Sequence, residues 1–286
     1  MKTRLVDAGG TTLQLHEWGD EGGRPLLFWH ALGDHTALQL LEAAPILAGE
    51  YGLRVLAADA PGFGGSPRVP DERYEMPALV ELAQELLDAL ALARVVWLGS
   101  SWGASIGVHF AAARPQRVEA LVLLDGGYQD PPNDAGSSLE EIRGHWRSQP
   151  ELWSYDSWDA LDDDAKRYFR RWTPALAESC RSAYREEDGK IVSIMGPDVY
   201  AAAGWGVVES PPAEALPRLA ESGVPVLLLA AAQPREVAER RRPERERFAA
   251  LVPHAEVRLV DTMHFVIEDA PEETARQIGD WLRAQS

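Results

Sequence analysis

The sequence predicts an α/β protein with a mostly parallel sheet covered by helices on both faces. Three observations carry this. Short, largely apolar runs at 25–30, 53–58, 95–99, 118–124 and 224–230 alternate with stretches of helical periodicity. Such runs are what strands buried on both faces look like. His30, Asp59, Ser101, Asp125 and His264 lie at or just after run ends, along the sheet edge where open α/β sheets gather ligands. The strand–helix rhythm also stops near 128 and resumes near 217. This predicts a core of 1–127 and 217–286 interrupted by a helical cap at 128–216.

Taken in order, 3–18 reads as an antiparallel hairpin turning at Gly9-Gly10, with alternation along Thr11 to Trp18. A helix is expected at 37–49. The segment from Asp59 to Pro67 is too rich in Gly and Pro to be anything but a loop. Leu79, Leu82, Leu86, Leu87 and Leu90 share a helical face within 76–92. The run at 94–99 ends at Ser101, and the following helix is stopped by Pro115. The insertion carries Trp146, Trp153, Trp158, Trp172 and Trp205, many Pro and Asp breaks, and no strong strand run. These tryptophans read mainly as cap packing, one or two lining a pocket. A charged helix at 236–250, a strand at 255–261 and a final helix at 271–284 close the chain. The run Arg240 to Arg247 interleaves Glu244 and Glu246 among its arginines, the pattern of an ion-paired exposed helix face.

The formal net charge of −17 opposes binding to nucleic acid or anionic lipid. Cys180 is the only cysteine, which excludes an intrachain disulfide and suits a reducing compartment. The first residues lack an apolar core of signal-peptide length, and no stretch reaches the length of a membrane span. A cytoplasmic protein is the expectation. No Cys/His ligand cluster or H-E-x-x-H motif points to a metal, and no cofactor is called for.

The reactive candidate is Ser101, centred in Gly99-Ser100-Ser101-Trp102-Gly103. This G-x-S-x-G follows a buried strand and precedes a helix, the context that lifts a serine hydroxyl clear of a sheet. A serine needs a base to become a nucleophile, and His264 can serve near neutral pH.

Four segments in order resemble the α/β-hydrolase superfamily. They are His30-Ala31-Leu32-Gly33, the loop Asp59 to Ser66, the elbow Gly99 to Gly103, and His264-Phe265 before the terminal helix. The resemblance implies the α/β-hydrolase fold and a small-molecule acyl substrate. It also implies a triad base at His264 and an oxyanion hole from the backbone N–H groups of Leu32 and Trp102. Two departures stand out. Ala31 replaces the usual glycine, and the turn after 224–230 reads Ala231-Ala232-Gln233-Pro234-Arg235, without the family's usual aspartate. A subset including haloalkane dehalogenases carries the acid one strand earlier. Here that is Asp125, with Glu236 as the alternative. Asp59 reads as a turn residue and His30 as a brace for the oxyanion loop. Asp34 and His35 are candidate substrate contacts near the pocket mouth.

The expected activity is hydrolysis of a small carboxylic ester, lactone or related acyl compound through an acyl-enzyme. The alternatives are the same triad used for perhydrolysis, thioester or C–C cleavage, or a non-catalytic ligand-binding relative. Ser101 argues against dehalogenase and epoxide hydrolase chemistry, which need an aspartate at the elbow.

Overall fold

In the computed structural model, which describes residues 1–130 and 138–285, the main-sheet strands up to the insertion are β1 (Lys2–Ala8), β2 (Thr11–Trp18), β3 (Arg24–Trp29), β4 (Leu53–Ala58), β5 (Val95–Ser100) and β6 (Val118–Leu124). Three short strands, β7 (Ser154–Tyr155), β8 (Tyr184–Glu187) and β9 (Lys190–Ser193), fall within the insertion. β10 (Val226–Ala231) and β11 (Ala255–Val260) complete the main sheet. Its order is β1-β2-β4-β3-β5-β6-β10-β11. β2 runs antiparallel to β1 and β4, and the remaining pairs are parallel. The predicted mostly parallel α/β sheet is therefore what the chain forms.

The period-two alternation of each strand divides the core into two layers. Leu27, Trp29, Trp97, Leu121, Leu123 and Leu228 face one side, against the helices Met76–Ala89 and Trp102–Ala113. Leu26, Phe28, Val96, Leu98, Val122 and Leu227 face the other, against Ala44–Tyr51 and Pro271–Ala284. With both faces covered, the strand centres are apolar, and the charged residues of β4 and β6, Arg54 and Glu119, fall at the second position of each strand. The strands accordingly read as largely apolar runs.

Two predicted helices are broken, each by a proline. The 37–49 stretch forms a 3-10 turn, Ala37–Leu40, and restarts as Ala44–Tyr51 with Pro45 in its first turn. The 236–250 stretch splits into Arg235–Arg240 and Arg242–Leu251, with Pro243 at the second start. Proline lacks the N–H of a helix interior and is tolerated only in a first turn.

The insertion is not purely helical, a correction to the helical cap expected from the sequence. β7, β9 and β8 form a small antiparallel sheet. Asp188-Gly189 joins β8 to β9, both residues having positive φ (51° and 75°), the signature of a two-residue hairpin turn. The strands are too short for alternation to stand out, and the Asp-Gly signal was the available clue. Residues 131–137, inside the predicted cap, lie outside the described set. Cap and core are tied by Arg171, which donates from Nη1 and Nη2 to the Glu42 carboxylate (2.7 and 2.6 Å). Arg170 reaches Asp269 (2.8 Å). Among the described residues no helix is long and apolar enough to cross a membrane.

The hairpin offers a test of backbone strain free of packing. A methyl at Gly189 would meet open space, so Gly189→Ala carries only the left-handed penalty. It should destabilise the protein by about 1 kcal/mol in urea unfolding. Unchanged stability would contradict the assigned turn.

Candidate active site

The elbow is built by close backbone approach. β5 is buried throughout and ends at Ser100. Ser101 then takes φ 50° and ψ −104° before the helix Trp102–Ala113 begins. That conformation is costly for a non-glycine residue and persists only where surroundings enforce it. Here the Ser101 N–H donates to Leu124 O at the end of β6 (2.9 Å). A Cβ on Gly103 would lie 2.0 Å from the Trp29 carbonyl oxygen, and one on Gly126 would lie 2.3 Å from that of Ser101. Glycine at these positions lets β3, the elbow and the β6 turn meet.

Three strand-end residues form a continuous hydrogen-bonded chain. The Ser101 hydroxyl donates to His264 Nε2 (3.0 Å), and His264 Nδ1–H donates to Asp125 Oδ2 (2.6 Å). Asp125 is 1% exposed and has φ 40°. Its Oδ1 accepts from the Tyr128 hydroxyl (2.8 Å) and the Ala231 N–H (3.1 Å). Its Oδ2 also accepts from Arg241 (3.1 Å). Burial alone would raise this carboxyl. The bond and charge from His264, the Arg241 charge and the Tyr128 bond outweigh it and hold Asp125 below the ordinary carboxylate range. Glu236, the alternative acid, is exposed on its helix, and Asp125 occupies the histidine's Nδ1.

The N–H of Trp102 opens the helix, where the first donors have no intrahelical acceptor. The loop bearing Leu32 is held from below. His30 Nε2 accepts from the Ala60 N–H (3.0 Å), so its Nδ1–H donates to Ala31 O (2.7 Å). Both ring nitrogens of His30 are thus used, and burial lowers its pKa. Gln39 Oε1 accepts from the Ala31 N–H (3.1 Å), and its amide donates to Glu268 Oε2 (3.0 Å). The Asp59 carboxylate caps two backbone turns, accepting from Ala37 N–H (2.8 Å) and Gly65 N–H (3.0 Å).

Two cavities share Leu32 in their lining. One, of about 770 Å³, is lined by Ser101, Trp102, His264, Arg240 and Arg241. The other, of about 350 Å³, extends under the insertion past Asp34 and His35 and is walled by aromatics, Trp146 and Trp153 among them. His35 is buried, packs its ring tilted at 53° against Phe265 (4.0 Å between ring centroids) and lies 3.4 Å from Glu268. Burial, then the neighbouring His30 and His264, lowers its pKa to about 3, so it is neutral at physiological pH. Cys180 is buried in the same wall, which pushes its thiol pKa up and leaves it unreactive. Among the described residues no cluster of His, Cys, Asp or Glu is placed to hold a metal.

Several site residues escaped sequence reasoning. Arg241 corrects the exposed-face expectation for 240–247. Arg247 pairs with Asp130 (2.6 Å) at the surface, but Arg241 turns inward to Asp125 and Arg245 is buried. The helix break at Pro243 places Arg241 at a junction, and that proline was the signal. Tyr128 follows Asp125 by three residues and could have been noticed. Gln39 and Glu268 are 229 residues apart, a pairing no local pattern reveals.

Comparison with known proteins agrees with this architecture. A family model described as alpha/beta hydrolase fold matches residues 24–271, and the chain belongs to that family. It is 36% identical over 119 residues to the dihydrolipoyllysine-residue acetyltransferase component of the acetoin cleaving system of Pseudomonas putida, covering 42% of this chain and 31% of that protein. It is 29% identical over 188 residues to the 2-hydroxy-6-oxo-2,4-heptadienoate hydrolase of Pseudomonas putida F1, covering 63% of this chain and 67% of that one. The matched stretch thus spans about a third of the first relative's length. The solved structure of E-2-(acetamidomethylene)succinate hydrolase superposes with a TM-score of 0.78 at 23% identity, covering 99% of each chain. It shares the fold.

Glu268 makes the support of the Leu32 loop measurable. Burial raises its pKa from 4.5 to about 8, so the folded state holds a proton that the unfolded chain releases above pH 4.5. Its contribution is therefore complete at low pH and lost as pH rises toward 8. Relative to Glu268→Gln, wild-type stability should fall by up to about 1.4 kcal/mol per pH unit between pH 5 and 8. Urea unfolding of both proteins across that range checks it, and parallel curves would contradict the protonated state.

Proposed function

We propose that the protein is a serine hydrolase that cleaves a small carboxylic ester, lactone or related acyl compound through an acyl-enzyme. The observation carrying this reading is the unbroken chain Ser101 Oγ–H to His264 Nε2 and His264 Nδ1–H to Asp125, at 3.0 and 2.6 Å.

Ser101 Oγ attacks the substrate carbonyl carbon while its proton passes to His264 Nε2. The carbonyl electrons move to oxygen, and the Leu32 and Trp102 N–H groups receive the oxyanion. One such donor is worth roughly 3 kcal/mol in comparable sites. As the tetrahedral species collapses, the bond to the alcohol oxygen breaks and His264 returns the proton to that oxygen. In a lactone the alcohol stays tethered to the acyl group. Water then attacks the Ser101 ester, gives its proton to His264, and the second collapse releases the carboxylic acid and restores Ser101. Throughout, ionised Asp125 stabilises the imidazolium and fixes its tautomer. Its remaining acceptor sites are filled by Tyr128, Ala231 and Arg241, which lock its orientation.

The relatives' names include a hydrolase of an oxo-acid, 2-hydroxy-6-oxo-2,4-heptadienoate. The acidic wall at Asp34 and Asp164 favours an uncharged or cationic ester over an oxo-acid substrate.

Ser101→Ala should lower turnover of p-nitrophenyl butyrate by at least about 10⁴-fold. A mutant at wild-type rate would overturn the assignment. Asp125→Asn should cost about 10²–10⁴-fold in kcat, and Glu236→Gln less than about twofold. The reverse ranking in initial-rate assays would transfer the acid's role to Glu236.

A further inference from the structure

The cavity beneath the insertion has a composition that the acyl-transfer chemistry does not require. Trp146, Trp153, Tyr155, Tyr184, Tyr200 and Phe265 wall it. Trp146, Trp153 and Tyr200 pack edge to face and tilted, with centroids 4.8 to 6.1 Å apart. The charged residues in the lining are two acids, Asp34 and Asp164, and no Lys or Arg lines it among the described residues. Asp164 already accepts from Tyr155 (2.9 Å) and pairs with Arg167 (3.0 Å). Asp34 has no counter-cation among the described residues. The Tyr184 hydroxyl is near enough to act on Asp34's charge. Tyr184 is only 5% exposed, and its hydroxyl closes no hydrogen bond.

Asp34 is half-buried, and a carboxylate partly removed from water without a counter-ion is costly. An anionic ligand would add repulsion, and a purely apolar one would leave the carboxylate stranded. A cation satisfies both features, because aromatic faces attract ammonium groups and more strongly when water is excluded. Position supports this too. Asp34 follows Leu32 by two residues, so its Cα lies within about 7.6 Å of the residue that lines both cavities. An arm from a substrate carbonyl held at Ser101 would reach Asp34 by passing Leu32.

We propose that this aromatic cavity binds a quaternary or protonated amine, with Asp34 as its counter-ion, so that the preferred substrate carries a cationic arm a few bonds from the scissile carbonyl. The substrate sense rests on the ester-hydrolase reading above, whereas cation binding stands without it.

The pH dependence follows from the groups around Asp34. Burial raises its carboxyl to about 6, the Tyr184 hydroxyl drawing it down and the Asp164 charge pushing it up. Tyr155, Tyr184, Tyr200 and Cys180, which also face it, are pushed up by burial and stay neutral. His35 is neutral above about pH 3, and Glu268 behind it keeps its proton up to about pH 8. Between pH 7 and 5 the cavity thus loses the Asp34 charge, and cation affinity falls with it.

The test is binding of choline against its uncharged isostere 3,3-dimethylbutan-1-ol, read by tryptophan fluorescence of the full chain. Choline should bind the wild type at least tenfold more tightly at pH 7, and the preference should fall at least severalfold at pH 5 and in Asp34→Asn, leaving only the aromatic contribution. Equal affinities in the wild type at pH 7, or no saturable choline signal, would overturn the proposal without recourse to any variant. A preference undiminished in a folded Asp34→Asn would also overturn it. Parallel p-nitrophenyl butyrate assays separate the two readings. Hydrolysis without choline preference removes this inference alone, and choline preference without Ser101-dependent hydrolysis removes only the ester-hydrolase reading.

Discussion

The structure depends on one buried carboxylate. Asp125 accepts four hydrogen bonds, from His264, Tyr128, Ala231 and Arg241. These donors come from the loop after β11, the turn after β6, the end of β10 and the junction of two helices. Removing a charge this deep from water is expensive, and only a full set of donors makes it tolerable. The same donors fix where β6, β10 and the His264 loop meet. The site therefore follows from how this sheet edge satisfies one charge.

The backbone conforms to that requirement. Ser101 and Asp125 both take positive φ, and each is held by hydrogen bonds to a neighbouring strand, Ser101 N–H to Leu124 O and Asp125 N–H to Leu229 O, both at 2.9 Å. Strain at two adjacent strand ends is stabilised by the sheet they terminate. The turns are paid for by strands buried on both faces. On the far side, the Ala31–Gln39–Glu268 relay does for the loop bearing Leu32 what the strands do for the elbow. It links that loop to the short helix just after His264.

Much of this was legible in the sequence. A parallel strand buried on both faces must be largely apolar, so 25–30, 95–99 and 118–124 announced themselves without alternation. Placing Ser101, Asp125 and His264 at strand ends followed from the same runs, and the structure brings the three within hydrogen-bonding distance. Short strands were harder. β8 and β9 have four residues each, too few for periodicity, and only Asp188-Gly189 marked them. Arg241 sat within a charge pattern typical of solvated helices, and its inward turn depends on a helix break. The Gln39–Glu268 contact and the aromatic cavity over Asp34 arise only when distant segments pack, as at Trp146, Tyr184 and Phe265.

The central claim is that this edge is arranged around an oxyanion on a Ser101 adduct. A crystal structure after reaction with a fluorophosphonate tests it most directly. The account predicts phosphorus bonded to Ser101 Oγ, with one phosphoryl oxygen about 2.7–3.1 Å from both the Leu32 and Trp102 nitrogens. A phosphoryl oxygen turned away from both, or an adduct on any other residue, would contradict it.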